Sequence, residues 1–321
     1  MGNEKHEDLL SAVLLLRRHF LPSESNLDNS IDAAFREGSL DVALMAFLST
    51  KAFRKRFAGL FTGIEFDYAS PHIDTEAPTG SLHALFEQVA REWEELGSSQ
   101  PVWSVLSREP YKNVQRDTVP QSFYISGERE AKRLVGALRR NGIAPPFTRA
   151  VEYGCGLGRV SIPLSRFCRH LDAYDISGSH IELAKRHAAE TKVENILFHQ
   201  VETPSDRPET GYDLYYSCLV FQHNPPPVIL RLIRNALEGL APDGVAVFQL
   251  PVFLKGYEFK LNSYLGRRRS GIEMHAVPQR LVLDIISEKG CRLLDLYETS
   301  TNLRDRILSN IFTVQKIAGG R

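Results

Sequence analysis

RAVEYGCGLGRVSIPLSR, residues 149–166, decides how the rest of the chain is read. A short apolar run ending at Tyr153 enters three glycines at alternate positions, Gly154, Gly156 and Gly158, and helical spacing follows. Glycine lets a backbone turn sharply beneath a ligand with no side chain in the way. The helix that follows aims its first, unpaired N–H groups back at the turn, so a strand–glycine–helix junction is a natural nucleotide site.

Three nucleotide classes compete for such a turn. A phosphate loop ends in Gly-Lys-Ser/Thr, whereas Gly158 is followed by Arg159 and Val160, which excludes it. The dinucleotide fingerprint GxGxxG asks for a third glycine at 159 to bring helix and strand close, so Arg159 weakens that reading. Glu152 lies two residues before Gly154 and shares its face of the strand. A carboxylate there repels a pyrophosphate and suits a cationic ligand with an amino group. LDAYDISGSHIELAKRH, residues 171–187, places Asp175 seventeen residues after Gly158. Asp175 can accept from both hydroxyls of a ribose, or cap the helix that ISGSHIEL opens. Glu202 ends the third apolar run in FHQVETP, beside an adenine amino group or in solvent.

Working outward, the periodicity predicts strands near 150–153, 171–174, 196–200, 213–218, 245–250, 292–297 and 311–315. Helices are predicted at 159–169, 178–190, 227–239 and 278–289. Strands alternating with helices imply parallel βαβ units, and the last two strands, with no helix between them, can pair antiparallel.

VEYGCGLGR, Asp175 and YDLYYSCLVFQH (212–223) together resemble the class I methyltransferases that use S-adenosylmethionine, over roughly Phe123 to Lys316. The resemblance implies an α/β fold, a Rossmann-like seven-stranded sheet with an antiparallel last strand. It also implies that Glu152, Gly154 and Gly156 line the methionine end, Asp175 binds the ribose, and Val201 with Glu202 flanks the adenine. Tyr124, Cys155, Gly158, Ile176 and Cys218 complete the implied cofactor-binding set. Phe123 and Tyr124 are expected to pack on the sulfonium by cation–π attraction. Cys155 and Cys218 have no base near them in sequence and read as small apolar fillers rather than nucleophiles.

Methyl transfer from a sulfonium is an in-line displacement, so the protein aligns the partners and removes a proton from a hydroxyl acceptor. His223 in SCLVFQHNPPP falls at the carboxyl edge of the sheet, where open α/β folds bind ligands. His275 precedes the helix opened by Pro278. Both are candidate catalytic bases, and each also reads as a packing histidine. The stretch from Pro251 to Ala276 is long for a connector and is expected to be a lid. Its Arg267, Arg268 and Arg269 suit a phosphate group, or form a solvated basic loop. The MH pair at 274–275 resembles bacterial methyltransferases of glycan or lipopolysaccharide assembly. FREGSLDVALMAFLSTKAFRKRF (35–57) resembles short helical repeats beside glycan-modifying domains. The expected acceptor is therefore a sugar hydroxyl or amine on a glycan precursor, with a natural-product small molecule next. A non-catalytic cofactor-binding scaffold and an NAD-dependent oxidoreductase remain open.

The length of 321 residues suits one large core with a smaller piece, expected as a helical N-terminal region with linker at 1–119 and a cofactor-binding domain at 120–321. Residues 251–277 would form the lid or substrate insertion. Lysine plus arginine, 39, equals aspartate plus glutamate, 39, so no global field draws nucleic acid, and no nucleic-acid partner is expected. QHNPPP also lacks the aromatic of an NPPY-like tetrapeptide. Apolar runs are too short for a membrane span. The charged start MGNEKHEDLL predicts no signal peptide, and His6 stands where a myristoylation site wants Ser or Thr. Four scattered cysteines predict reduced thiols and a cytoplasmic compartment. No compact spacing of histidines and acids predicts a metal site.

Overall fold

Ala150 and Val151 of the opening stretch are wholly buried, because their strand is covered on both faces. This is the environment a parallel sheet demands of its central strands. The protein is described by a computed structural model that covers residues 72–116, 118–203, 206, 208–267, 271–299 and 307–319. The chain divides into two compact units, Met1–Tyr68 and Ala69–Arg321. The predicted N-terminal helices and the repeat-like stretch at 35–57 lie outside the described residues.

The second unit holds strands β1 (Phe147–Tyr153), β2 (Cys168–Asp175), β3 (Ile196–Gln200), β4 (Tyr212–Ser217), β5 (Leu240–Leu254), β6 (Cys291–Glu298) and β7 (Ile307–Lys316). They form one seven-stranded sheet in the order β3-β2-β1-β4-β5-β7-β6. The first five strands are mutually parallel, and β7 runs antiparallel between β5 and β6. The Rossmann-like methyltransferase sheet with an antiparallel last strand is thus present. Chain order reverses between β1 and β4, so their carboxyl ends flank the crevice where such sheets bind ligands.

The helices are α1 (Thr79–Ser99), α2 (Pro101–Val105), α3 (Gln121–Arg140), α4 (Ser161–Ser165), α5 (Gly178–Glu190), α6 (Pro226–Glu238), α7 (Leu261–Leu265) and α8 (Gln279–Glu288). One face of the sheet packs Val151, Tyr215 and Phe248 against α6 and α8. The other packs Ala150, Leu214 and Val245 against α3, α4 and α5. In α3, Phe123, Gly127, Ala131, Leu134 and Leu138 recur at helical spacing and are buried. Arg139 and Arg140 in its last turn complement the helix dipole.

Three expectations change. The helix predicted over 159–169 is only α4, because β2 already begins at Cys168, level with Phe147. The strand predicted over 245–250 runs on to Leu254, with a register shift between Pro251 and Phe253, where proline's missing N–H is tolerated. The first residues of the expected lid at 251–277 are therefore strand. The boundary expected at 119/120 is also displaced: α1 and α2 lie in the same compact unit as the sheet. Their apolar side chains pack there, with Phe86 in the core beneath α6 and Val102 against Phe123 and Leu157.

Candidate functional site

Gly154, Gly156 and Gly158 all have left-handed backbones, with φ of 82°, 53° and 74°. At two of them space is equally decisive. A Cβ on Gly154 would sit 2.1 Å from a methyl of Val220, and one on Gly156 would sit 2.7 Å from a methyl of Val105. The loop is pinned to the end of β2. The N–H groups of Gly154 and Cys155 donate to the Tyr174 carbonyl at 2.7 and 2.9 Å, and that of Gly156 donates to Asp175 Oδ2 at 2.8 Å.

Asp175 is buried, and its Oδ1 accepts from Ser177 N–H at 3.0 Å and faces His180 Nδ1 at 3.4 Å. Burial pushes its carboxyl up, but His180 and the two amides outweigh this and hold it below the usual range. It is therefore ionised at neutral pH. The cap of α5 is Ser177, which accepts from His180 N–H at 3.2 Å, rather than Asp175. Glu152, one strand away, is just as buried, yet it receives a single hydrogen bond, from Ser161 Oγ–H at 2.6 Å. Burial lifts it to about 8, with Ser161 and Arg159 opposing and Glu130 and Asp175 adding to the rise. It carries a proton at neutral pH.

Arg159, which in the sequence served only to exclude one motif and weaken another, lies buried on the cleft wall. Its Nη2 donates to Glu130 at 3.1 Å and its Nη1 to Ser126 at 3.3 Å, while its Nε is buried without a hydrogen-bond partner. A charged residue directly after a glycine loop was the signal available in the sequence.

The upper wall comes from α1 and α2. Glu94 accepts from Ser177 Oγ–H at 2.9 Å, Ser179 N–H at 3.2 Å and Ser179 Oγ–H at 2.6 Å, clasping the start of α5. Gly97 brings α1 close, since a Cβ there would lie 2.3 Å from Ser177 Oγ. Ser104 Oγ lies 2.9 Å from His180 Nε2, completing a Ser–His–Asp chain with Asp175. Ser104 is buried, and its hydroxyl also lies 2.9 Å from the Pro101 carbonyl, which ties it into the turn between α1 and α2.

These walls enclose a cleft of about 1480 Å³, counted out to its open mouth. Glu152, Gly154, Cys155 and Gly156 line it from β1, Asp175 and Ile176 from β2, and Cys218 and His223 from the end of β4. The rest of the lining is mostly apolar: Leu82, Phe86 and Val89 of α1, Leu219 and Val220, then Val228 and Leu232 of α6. Thr79, His83, Asn224 and Arg231 supply the polar groups there. Burial drives the thiols of Cys155 and Cys218 far up, so neither is a thiolate.

Several expected site residues lie elsewhere. His275 is buried among Tyr257, Phe259 and Tyr264, with Nδ1 2.8 Å from Tyr257 Oη and Nε2 3.5 Å from Glu273. It does not line the cleft and is corrected from a candidate base to a core residue. Tyr124 stacks on His187 with ring centroids 3.5 Å apart, and Phe123 is buried in the core, so neither lines this cleft. The aromatic residues on the wall are instead Phe86, Trp93, Tyr153 and Tyr216. Glu202 is exposed and off the wall; Thr203 and Asp206 line it in its place. Asp206 folds that turn by accepting the N–H groups of Glu202 and Thr203, each at 2.8 Å. Val201 and Gly158 support from behind, Val201 N–H donating to the Asp175 carbonyl at 2.9 Å. Arg267 pairs with Glu273 at 3.1 Å and lies 4.8 Å over the Tyr264 ring; Arg268 and Arg269 are outside the described residues.

Among the described residues, no group of three or more His, Cys, Asp or Glu is placed to hold a metal ion. Among the same residues, no helix is long and apolar enough to cross a membrane.

Residues 150–244 match the methyltransferase domain family. A curated relative, the ubiquinone biosynthesis O-methyltransferase of Maricaulis maris, is 28% identical over 127 residues, 39% of this chain. The match spans 44% of that relative, less than half its length. Among solved structures, the magnesium protoporphyrin IX methyltransferase of Synechocystis PCC 6803 with bound SAH is similar in fold. Its TM-score is 0.52 and its identity 18%, covering 72% of this chain and 99% of that one. The N-methyltransferase NodS of Bradyrhizobium japonicum, with a TM-score of 0.48 and 14% identity, covers 73% of this chain and 98% of its own. Residues 150–244 thus match the methyltransferase domain family in sequence, and the sheet that holds them shares the fold of the Synechocystis methyltransferase.

Proposed function

We propose, from a methyltransferase domain seated at this cleft, that the chain binds S-adenosylmethionine there and methylates a small molecule with an apolar body. The observation that carries this is the set of charged groups that line the cleft together. Among the described residues the buried Nε of Arg159 has no hydrogen-bond partner, Glu152 lines the same cleft, and ionised Asp175 lies at the next strand end. The cofactor bears complementary groups: a carboxylate for Arg159, an ammonium for Glu152 and ribose hydroxyls for Asp175. Thr203 and Asp206 are left for the adenine edge. A carboxylate has about four acceptor sites, so after its two amide bonds and the His180 contact Asp175 keeps about one for a ribose hydroxyl. When bound, S-adenosylmethionine supplies a methyl group already activated on sulfur.

What remains for the chain is to hold an acceptor in line, exclude water and take a proton. Phe86, Val89, Leu82 and Val228 give the cleft an apolar lining, and His223 lines the same cleft as Gly154 and Gly156. The curated relative is named an O-methyltransferase, which supports a hydroxyl acceptor with His223 as its base. The apolar lining favours a natural-product-like small molecule. A glycan precursor, the acceptor expected first, rested on the resemblances of the MH pair at 274–275 and of residues 35–57, with the arginines at 267–269 suiting a phosphate; of these, Arg267 is engaged with Glu273 and Tyr264. An open cleft with His223 on its wall favours catalysis over a non-catalytic scaffold.

Calorimetry with S-adenosylmethionine and S-adenosylhomocysteine, with NAD as control, tests the reading. Micromolar binding of both sulfur compounds and none of NAD is expected; the reverse pattern would sink it. His223→Ala is expected to lower turnover about a hundredfold or more, the usual contribution of a positioned base, and to spare cofactor affinity.

A further inference from the structure

Behind His223 a line of buried amides runs into the sheet, and one obligate donor sets its polarity. Leu219, with φ at 61°, points its backbone N–H at Gln249 Oε1, 3.1 Å away. A backbone N–H can only donate, so the other end of Gln249 must be its NH2. That group donates to Gln222 Oε1 at 3.2 Å and to the Ser309 hydroxyl. With its oxygen thus taken, Gln222 presents its own NH2 to His223 Nε2 at 3.0 Å. On the other side of the ring, Nδ1 lies 2.9 Å from the Glu273 carbonyl oxygen, which can only accept.

The two sides make one demand: a proton on Nδ1 and a lone pair on Nε2. Gln249 and Gln222 are only 4% and 7% exposed, so no bulk water would repair a reversed amide. Turning either one would set oxygen against oxygen or N–H against N–H in a dry place. Among the described residues, Trp93 of α1, its centroid 5.1 Å away, Gln222 and the Glu273 carbonyl lie against the ring. The Glu273 carboxylate is turned to Arg267 and His275.

We infer that Gln249 is a positioning residue: acting through Gln222, it holds His223 as the neutral Nδ1–H tautomer, with the Nε2 lone pair parked on an amide until an acceptor hydroxyl replaces that amide. The proton then moves from the acceptor oxygen to Nε2, the electron pair stays on that oxygen, and the Glu273 carbonyl steadies the resulting imidazolium through Nδ1–H. The tautomer follows from the hydrogen bonds alone; the parking of a base rests on the methyltransferase reading of the cleft.

Ring-nitrogen NMR on the full chain labelled at histidine tests it without turnover, with His223 assigned by loss of its signals in His223→Gln. Wild type at neutral pH is expected to show Nδ1 protonated and Nε2 bare. Gln222→Met removes the N–H facing Nε2. Gln249→Met leaves Gln222 free to turn its oxygen there. In both variants the midpoint of His223 protonation should rise by about one unit, because the charged ring no longer meets an amide donor. Affinity for S-adenosylhomocysteine should stay within twofold of wild type in Gln249→Met, since Gln249 does not line the cleft, while turnover falls and the acid limb of its pH profile moves up. A wild-type ring protonated on Nε2, or an unmoved midpoint in Gln249→Met, overturns the assignment. If calorimetry finds no cofactor, the tautomer is still decided by NMR, so the two failures are told apart.

Discussion

Glu152 and Asp175 close neighbouring strands of one sheet, are both buried, and hold opposite charge states. Asp175 is met by N–H groups of Gly156 and Ser177 and by the His180 ring, and it stays ionised. Glu152 is met by one hydroxyl in a region already carrying Glu130 and Asp175, and it is lifted to about 8. Burial is common to both, so the number of donors decides. A carboxylate with several fixed donors is ready for a neutral ligand group such as a ribose hydroxyl. One starved of donors ionises only when a cation arrives.

The sharpest way to break this pair is at its well-served member. Asp175→Ala leaves the Gly156 and Ser177 amides without their acceptor, at about 1–3 kcal/mol each, and lets the glycine loop slip from β2. Thermal unfolding should show the loss, and cofactor affinity should fall by more than tenfold. The depressed carboxyl contributes stability above the ordinary aspartate range, and that contribution is lost as pH falls through its folded-state value.

Glu152 has the opposite sign. Its folded value is raised, so the protonated form stabilises the free protein at low pH, and that contribution fades as pH climbs from about 4.5 to about 8. A cationic ligand reverses the preference, so S-adenosylmethionine affinity should rise with pH, by up to about tenfold per unit below 8. Binding near neutrality should release a proton, visible by calorimetry in buffers of different ionisation enthalpy. Glu152→Gln should flatten the profile; an equally steep profile in that variant would remove Glu152 as its source.

The contrast also explains what the sequence made legible. Both acids and all three glycines were readable because a strand end, a turn and a helix start are set within a few residues. The strands of the parallel sheet were readable because central strands must be apolar throughout. What lay hidden depends on segments distant in the chain. Glu202 and Asp206 are equivalent as letters, and only the fold of the turn sends Asp206 to the wall and Glu202 to solvent. His223 and His275 were equal candidates until residues 257–264 wrapped rings around the second. The helix α3 was obscured by GEREAKR in its middle, where Gly127 is needed because the Arg159 backbone passes 1.8 Å from where a Cβ would stand. Trp93, rather than Tyr124, reaches the cleft because α1 crosses to α5 and α6, a placement no local pattern encodes.

A third carboxylate extends the comparison with a smaller effect. Glu94 resembles Asp175 in its donors, with Ser177 and Ser179 around it, but sits on α1 and is only partly buried. Burial raises it, the serine hydroxyls and the amides at the start of α5 lower it further, and the net position is below the usual glutamate range. A carboxylate at a helix N-terminus also gains from the dipole. Its ionised form therefore fastens α1 over the cofactor strand above the ordinary glutamate range, and the grip loosens as pH falls through the folded value. Glu94→Gln keeps the shape but loses the charge. Amide exchange in residues 79–99 should then quicken several-fold while the core strands keep their protection. Cofactor affinity should weaken by only a few-fold, since Ser177 still caps α5 and Asp175 still holds the glycine loop. Equal quickening in α1 and β1 would instead mean that Glu94 stabilises the whole domain, and that the clasp is not a local device of the upper wall.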